Sequence, residues 1–269
     1  MYAAFNSGKR FTYQELGKSG AQWTDPVHPH LSFEMDWEDD LFSSLKDWSD
    51  GFNDLENWLN LNALVAISSS LETFMAMIID LALESDVGVV YGLPRKIDGI
   101  EILKNGKENP FDHSEAIQAC TKGDWTARLA SYKRCFGRCP KYLQGKISEL
   151  ERIRKLRNSV AHAFGRDISE SRKKGELTTL PMERLPRASF HKLQSVVWRS
   201  AKAIDAHLNQ FHIGEYQALN FYHGIYSELN KKVHPSQRAV ELKKRLGRHG
   251  DIPPGKEFCK GLVQFYEAL

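Results

Sequence analysis

A chain of 269 residues, 41% hydrophobic and 26% charged, has the balance of a folded globular protein rather than a disordered one. Six Trp and 14 Phe supply a sizeable core, and the length allows one large domain or a domain with extensions. The net charge is only +3 but unevenly spread: from Glu34 to Glu56 nine carboxylates face the single Lys46, whereas Arg166 to Lys174 and Lys231 to Arg248 are basic. Such asymmetry implies either internal pairing or a polyanionic partner for the basic parts.

No apolar run reaches the roughly 20 residues of a membrane helix; the longest candidate, Phe74 to Leu83, stops at about half that, contains Asp80 and reads as buried. The first 20 residues have neither the basic start nor the apolar centre of a secretory signal, so a cytoplasmic protein with no membrane partner is expected. Cys120, Cys135, Cys139 and Cys259 are then expected as free thiols. Cys135 and Cys139 could share a helix face, but no His or second Cys pair completes a metal set beside them, and no metal or cofactor is expected.

Residues 1 to about 33 read as irregular, with Gly, Ser, Pro26 and Pro29 and little periodicity. Within them His28-Pro29-His30 is either a metal contact or a loop, and its proline favours the loop. An acidic amphipathic segment follows, with Trp37, Leu41, Leu45 and Trp48 at helical spacing. The strongest apolar helix is predicted over Leu59 to Leu83. Glu72 lies inside it between Leu71 and Phe74 and needs a partner, because burying a lone carboxylate is costly. Residues 85 to 124, broken by five Gly and two Pro, read as a connecting insertion with short elements.

Trp125 to Phe136 resumes helical spacing, and Gly137 and Pro140 break it. Gly145 opens a helix that Gly165 ends. A polar basic loop spans Arg166 to about Pro186. The last core helix is predicted over Ala188 to Phe211, with Phe190, Leu193, Val197, Ile204, Leu208 and Phe211 as its apolar stripe. From Ile213 onward a tail carries Tyr216, Phe221, Tyr222 and Tyr226, then a basic helix-like stretch, then Pro253-Pro254 and an apolar end. No run of alternating strands is present, so the fold class is all-α.

On the Gly145 to Gly165 helix, at about 100° per residue, Ile153, Leu156, Val160 and Phe164 fall within roughly 80° of arc and form the buried face. Arg157 sits at its edge, Ala161 lies beside Arg154, then comes Asn158, and His162 lies opposite. A small residue thus separates a permanent cation from an imidazole and leaves room for a bound group. An imidazole titrating near neutrality can move protons at working pH. A guanidinium offers a charged fork that matches phosphate oxygens. These are the groups that RNA cleavage by its own 2′-hydroxyl requires: proton removal, proton supply and relief of charge on phosphorus, without a metal. Asn158, one turn before His162, could fix its ring or hold a phosphate oxygen. On an ordinary exposed helix face the same residues would need no such role.

The stretch Leu156-Arg157-Asn158-Ser159-Val160-Ala161-His162 resembles the signature of the HEPN superfamily, an Arg, a polar residue, three more residues, then His. Ser69-Ser70-Leu71-Glu72-Thr73-Phe74 resembles an early helix of that family, and the likeness covers roughly residues 57 to 212. The resemblance implies a helical bundle that pairs as a homodimer, so that two Arg/His helices meet in one ribonuclease site. It implies a metal-independent endoribonuclease of a toxin–antitoxin or antiviral defence system, with RNA as substrate and an antitoxin or sensor protein as partner. Arg157 would stabilise the scissile phosphate, His162 would transfer protons and Asn158 would be accessory. Glu72 would orient Arg157 or Arg154, or complete a structural ion pair; the second is preferred.

Residues 1–56 then form an N-terminal extension, 57–212 the core with its insertion at about 85–124, and 213–269 a C-terminal extension. In the last, Lys231, Lys232, Lys243, Lys244 and Arg245, with Arg238 and Arg248, suit contacts to an RNA backbone or simply a solvated helix face. The alternative function is a non-catalytic module of the same fold that binds RNA, a nucleotide or a partner protein. Phosphate-loop, dinucleotide, zinc-protease and serine-hydrolase motifs are absent from the sequence.

Overall fold

A computed structural model of the chain describes residues 2–32, 41–86, 89, 112–163, 182–229, 233–248 and 254–268, and of residues 2, 162, 163 and 228 only the backbone. The protein is all-α, and no strand occurs among the described residues. In chain order the helices are α1 (Tyr2–Lys18), α2 (Leu45–Ser85), α3 (Ser114–Thr121), α4 (Trp125–Phe136), α5 (Lys141–Gln144), α6 (Ile147–Ala163), α7 (Arg187–Leu208), α8 (Tyr216–Ile225), α9 (Pro235–Leu246) and α10 (Lys256–Ala268). A π-helical turn, Asn209–Ile213, continues α7, and a short 3₁₀ turn, Tyr226–Glu228, follows α8. Two compact units form, Met1–Ile67 with Lys155–Gln194, and Ser68–Arg154 with Ser195–Leu269.

In the first unit the expectation of an irregular N-terminus is corrected, because α1 is a helix of 17 residues. Its sequence is too polar to announce a core face. The helix is held by tertiary contacts instead: Phe5 stacks on Phe52 at 5.0 Å, and Tyr13 meets Trp48 edge-on at 5.6 Å. Lys9 pairs with Glu56 at 2.7 Å. Leu16, Val27, Leu45 and Trp48 form the core of this corner. The His28-Pro29-His30 segment lies in turns, where His30 pairs with Asp25 at 3.3 Å.

The predicted acidic and apolar segments are one helix: α2 runs unbroken for 41 residues through Gly51. Gly51 forgoes about 1 kcal/mol of helix propensity, and a Cβ there would lie 2.7 Å from the Phe42 ring. Residues 33–40, including Trp37, lie outside the described residues. Two buried asparagines on α2 clamp the segment before α7. Asn57 donates to the Glu183 carbonyl at 2.9 Å and accepts from Leu185 N–H at 2.7 Å, while Asn60 donates to the Leu185 carbonyl at 3.0 Å. These amides satisfy backbone groups that would otherwise be buried unpaired. Contrary to the expectation that no apolar segment reaches membrane length, α2 is by length and composition apolar enough to cross a membrane, with a window of mean hydropathy 1.6 of which one third is buried.

In the second unit α4 has the predicted bounds, because both its ends are written locally. Asp124 is the N-cap, its carboxylate accepting from Ala127 N–H at 2.8 Å, and Gly137 closes the helix at φ 68°. Asp124→Ala is expected to cost about 1 kcal/mol, read as a lowered urea midpoint with unchanged slope. Most of the insertion read at 85–124 lies outside the described residues, but its end forms α3. Cys139 lies beyond the end of α4, so it does not share a helix face with Cys135.

The stripe predicted for the last core helix holds from Phe190 to Leu208, all of it buried. Phe211 is a correction: it is 49% exposed, and Ile213 is buried instead. The reason is the π turn, whose i→i+5 pattern shifts the phase of every residue after Leu208. The predicted tail is a folded lobe. Tyr222, Ala239, Leu242, Cys259, Leu262 and Val263, drawn from α8, α9 and α10, bury a common core.

Candidate functional site

The Arg157 to His162 stretch occupies the last turns of α6. Leu150, Ile153, Leu156 and Val160 are buried along one stripe, as their spacing requires. Arg157, Asn158 and Ser159 are half-buried beside it and Ala161 is exposed. Val160 therefore anchors the helix while its neighbours in sequence reach the surface. His162 belongs to the helix by its backbone; its side chain, Phe164 and Gly165 lie outside the described residues.

The two supporting candidates take partners within the second unit. Glu72 lies 3.0 Å from Arg128, whose side chain is 3% exposed. Arg128 also donates from Nε to the Gly123 carbonyl at 3.0 Å, and its guanidinium sits 5.0 Å from the Trp125 ring. Arg154 grips Glu151 through two nitrogens, the shortest contact being 2.6 Å. That carboxylate, opposed by burial and helped by the charges of Asp124 and Glu72, holds Arg154 further into its charged form. Glu151 also accepts from the Trp125 N–H at 3.3 Å, so two carboxylates stand at the positive end of α4. Glu72 and Arg154 thus belong to one charged network that joins α2, α4 and α6, and Arg128 is its buried cation.

A second cluster, unmarked by any motif in the sequence, lies where α4 meets the end of α7. Tyr132 and His207 Nδ1 share a hydrogen bond at 2.8 Å, His212 Nδ1 lies 3.0 Å from Asp86, and the two imidazole rings are 5.9 Å apart. In an α-helix, residues five apart diverge by about 140°; the π turn brings His207 and His212 together instead. Arg138, over the Phe211 ring at 5.5 Å, adds a cation. Burial, then the charges of His212 and Arg138, hold the His207 pKa below the usual range. A neutral buried His207 stabilises the fold fully above its unfolded value of about 6.5, and that contribution is lost as pH falls from there toward the folded value. Urea midpoints measured from pH 7.5 to 5.5 should therefore fall, and His207→Gln should flatten the fall. An unaltered profile in the variant would remove His207 as its source.

The cysteines Cys120, Cys135, Cys139 and Cys259 are free thiols. A hydrogen bond from Cys120, with the Arg134 charge, pulls the Cys135 thiol below its ordinary value against burial. Cys120 is fully buried, and the same thiol pair pushes it up. Among the described residues no group of three His, Cys, Asp or Glu side chains is placed to hold a metal.

Of the basic tail residues, Lys243 and Lys244 are exposed, and Arg245 is half-buried and paired with Glu241 at 3.0 Å. Arg248 is exposed, and Lys231 and Lys232 lie outside the described residues. Arg238 is a correction to the expected cationic surface: it is buried, on the same stripe as Ala239, Leu242 and Leu246, and paired with Glu267.

The fold and these geometries define an all-α protein with a surface-edged Arg/Asn helix end, a buried charged network and a histidine pair. Comparison with models of protein families, with curated proteins and with solved structures finds no match to the chain.

Proposed function

We propose that the protein is a metal-independent endoribonuclease of the HEPN type, acting in phage defence or a toxin–antitoxin system in the cytoplasm. The observation that carries the reading is the end of α6. A buried stripe of Leu156 and Val160 fixes the helix, and half-buried Arg157 and Asn158 and exposed Ala161 rim it. Arg157 binds the non-bridging oxygens of the scissile phosphate and offsets the charge that grows there. His162 transfers the proton between the 2′-hydroxyl, which attacks phosphorus, and the 5′-oxygen, which leaves. Asn158 holds the imidazole or an oxygen. A homodimer supplies two imidazoles to one site, so that one accepts a proton while the other donates. The products are a 2′,3′-cyclic phosphate and a 5′-hydroxyl. Exposed Lys243 and Lys244, with Arg245, Lys231 and Lys232, supply backbone contacts to RNA.

The test is incubation of purified wild type and His162→Ala protein with total RNA in EDTA, followed by end-group mapping. Cleavage by wild type alone with cyclic phosphate ends is the expected result. RNA bound but left uncut by wild type, with or without an antitoxin or sensor partner, would replace this reading with a binding module.

A further inference from the structure

In the second unit, α7 buries Val196, Val197, Ile204 and Leu208 and leaves Trp198 62% exposed on its other side. An exposed indole alone means little; the groups around the ring decide its use. One helical turn before and after it stand Ser195 and Ala201, too short to cover it. Lys202 sets its ammonium over the ring, 5.4 Å from the centroid. Arg199, the next residue along, is exposed. It stands near a further cation, Lys146, just before α6: Glu149 pairs with Lys146 and holds it in its charged form, against the opposing charge of Arg199. Among the described residues neither Arg199 nor Lys202 is paired with a carboxylate. Asp205 is the single acid of α7, one turn beyond Lys202, against four Lys and Arg.

An open aromatic ring beside two uncompensated cations suits a ligand in which flat and anionic groups alternate. Single-stranded nucleic acid is such a ligand, because every base offers a π-face to the indole and every linkage a phosphate to the cations. A duplex keeps its base faces within the stack. A protein partner fits less well, since protein interfaces are poor in Lys. We propose that Trp198, with Arg199 and Lys202, is a stacking site for one base of single-stranded RNA, the two cations taking adjacent phosphates. That the strand is RNA rests on the ribonuclease function proposed above.

Binding is measured on the full chain carrying His162→Ala, in EDTA, so that a strand is held without being cut. Fluorescein-labelled oligoadenylate is the probe, read by anisotropy, with an abasic strand of equal length as the counterpart that keeps the phosphates and lacks the bases. Adding Trp198→Ala should weaken oligoadenylate roughly tenfold, the loss of one stacked base, and leave the abasic strand unaffected. Trp198→Phe should recover part of the loss. Arg199→Gln and Lys202→Gln should each reduce the slope of log affinity against log salt by about 0.7, whereas Trp198→Ala should not change it. Trp198 lies outside the core, so its variants should keep the parent urea midpoint. Equal affinity for oligoadenylate with and without Trp198, or equal binding of the adenylate and abasic strands, would overturn the proposal. So would no binding of oligoadenylate at submillimolar protein. Self-association that Trp198→Ala abolishes, without RNA binding, would give the face to a second copy of the chain instead. Failure of the ribonuclease reading would show itself separately, as wild type that leaves RNA uncut while Trp198-dependent binding persists.

Discussion

His162→Ala is expected to slow RNA cleavage about 10²- to 10⁴-fold, the range that a positioned proton-transfer group contributes. Arg157→Ala should cost about 10²- to 10³-fold through the loss of charge stabilisation at the phosphate. The two losses should not multiply, because groups that act on one transition state fail as a unit. Arg157 is half-buried, so its alanine variant also sheds packing of the aliphatic stem. Arg157→Lys separates the effects: it keeps the stem and the charge but lacks the two-pronged fork. A lysine variant with wild-type helicity and much reduced cleavage would assign the loss to phosphate geometry. Single-turnover rates in EDTA, with far-UV circular dichroism on each variant, provide the measurement. Wild-type rates in both His162→Ala and Arg157→Ala would sink the ribonuclease reading.

The parts of the fold legible in the sequence are those whose signals are local. Helix α4 was readable to both ends because Asp124 and Gly137 are cap residues, and each acts within a few positions of itself. The stripe of α6 was readable because Ile153, Leu156 and Val160 recur at the helical period. Helix α1 was not, since what holds it, Phe52, Trp48 and Glu56, stands more than thirty residues away in the chain. Within α2 a change from acidic to apolar composition imitates a boundary, although helix hydrogen bonds are indifferent to it. The π turn defeated the stripe at Phe211, since one extra residue per turn leaves no mark in composition.

The candidate site divides along the same line. Arg157, Asn158 and His162 stand out because they are neighbours on one helix. The partner of Glu72 did not, because Arg128 is 56 residues further along. A rule could have found it. Arg128 sits on the stripe of Trp125, Leu129, Tyr132 and Phe136, all buried, as Glu72 sits among Leu71 and Met75. Two opposite charges, each on a buried stripe of a different helix, are candidates for one another, since neither is tolerated alone.

Removing Glu72 should accordingly destabilise the second unit strongly. Glu72→Ala leaves the Arg128 guanidinium, 3% exposed, without the carboxylate 3.0 Å away. Breaking a buried pair from one side costs about 3–5 kcal/mol. The lower end applies, because the carboxylate is 15% exposed and Arg128 keeps the Gly123 carbonyl. The reverse change, Arg128→Met, should cost less. A stranded carboxylate can take up a proton or hydrate through its exposed edge, whereas a guanidinium cannot shed its charge. Replacing both, Glu72→Leu with Arg128→Met, should recover most of the loss, because an apolar pair of similar volume removes both desolvation penalties. Urea denaturation of the four proteins measures the cycle. A loss below about 1 kcal/mol in Glu72→Ala would demote the pair to a surface contact. A double variant no better than the worse single one would show that the hydrogen bond to Gly123 and the stacking on Trp125, rather than the charge pair, tie α2 to α4.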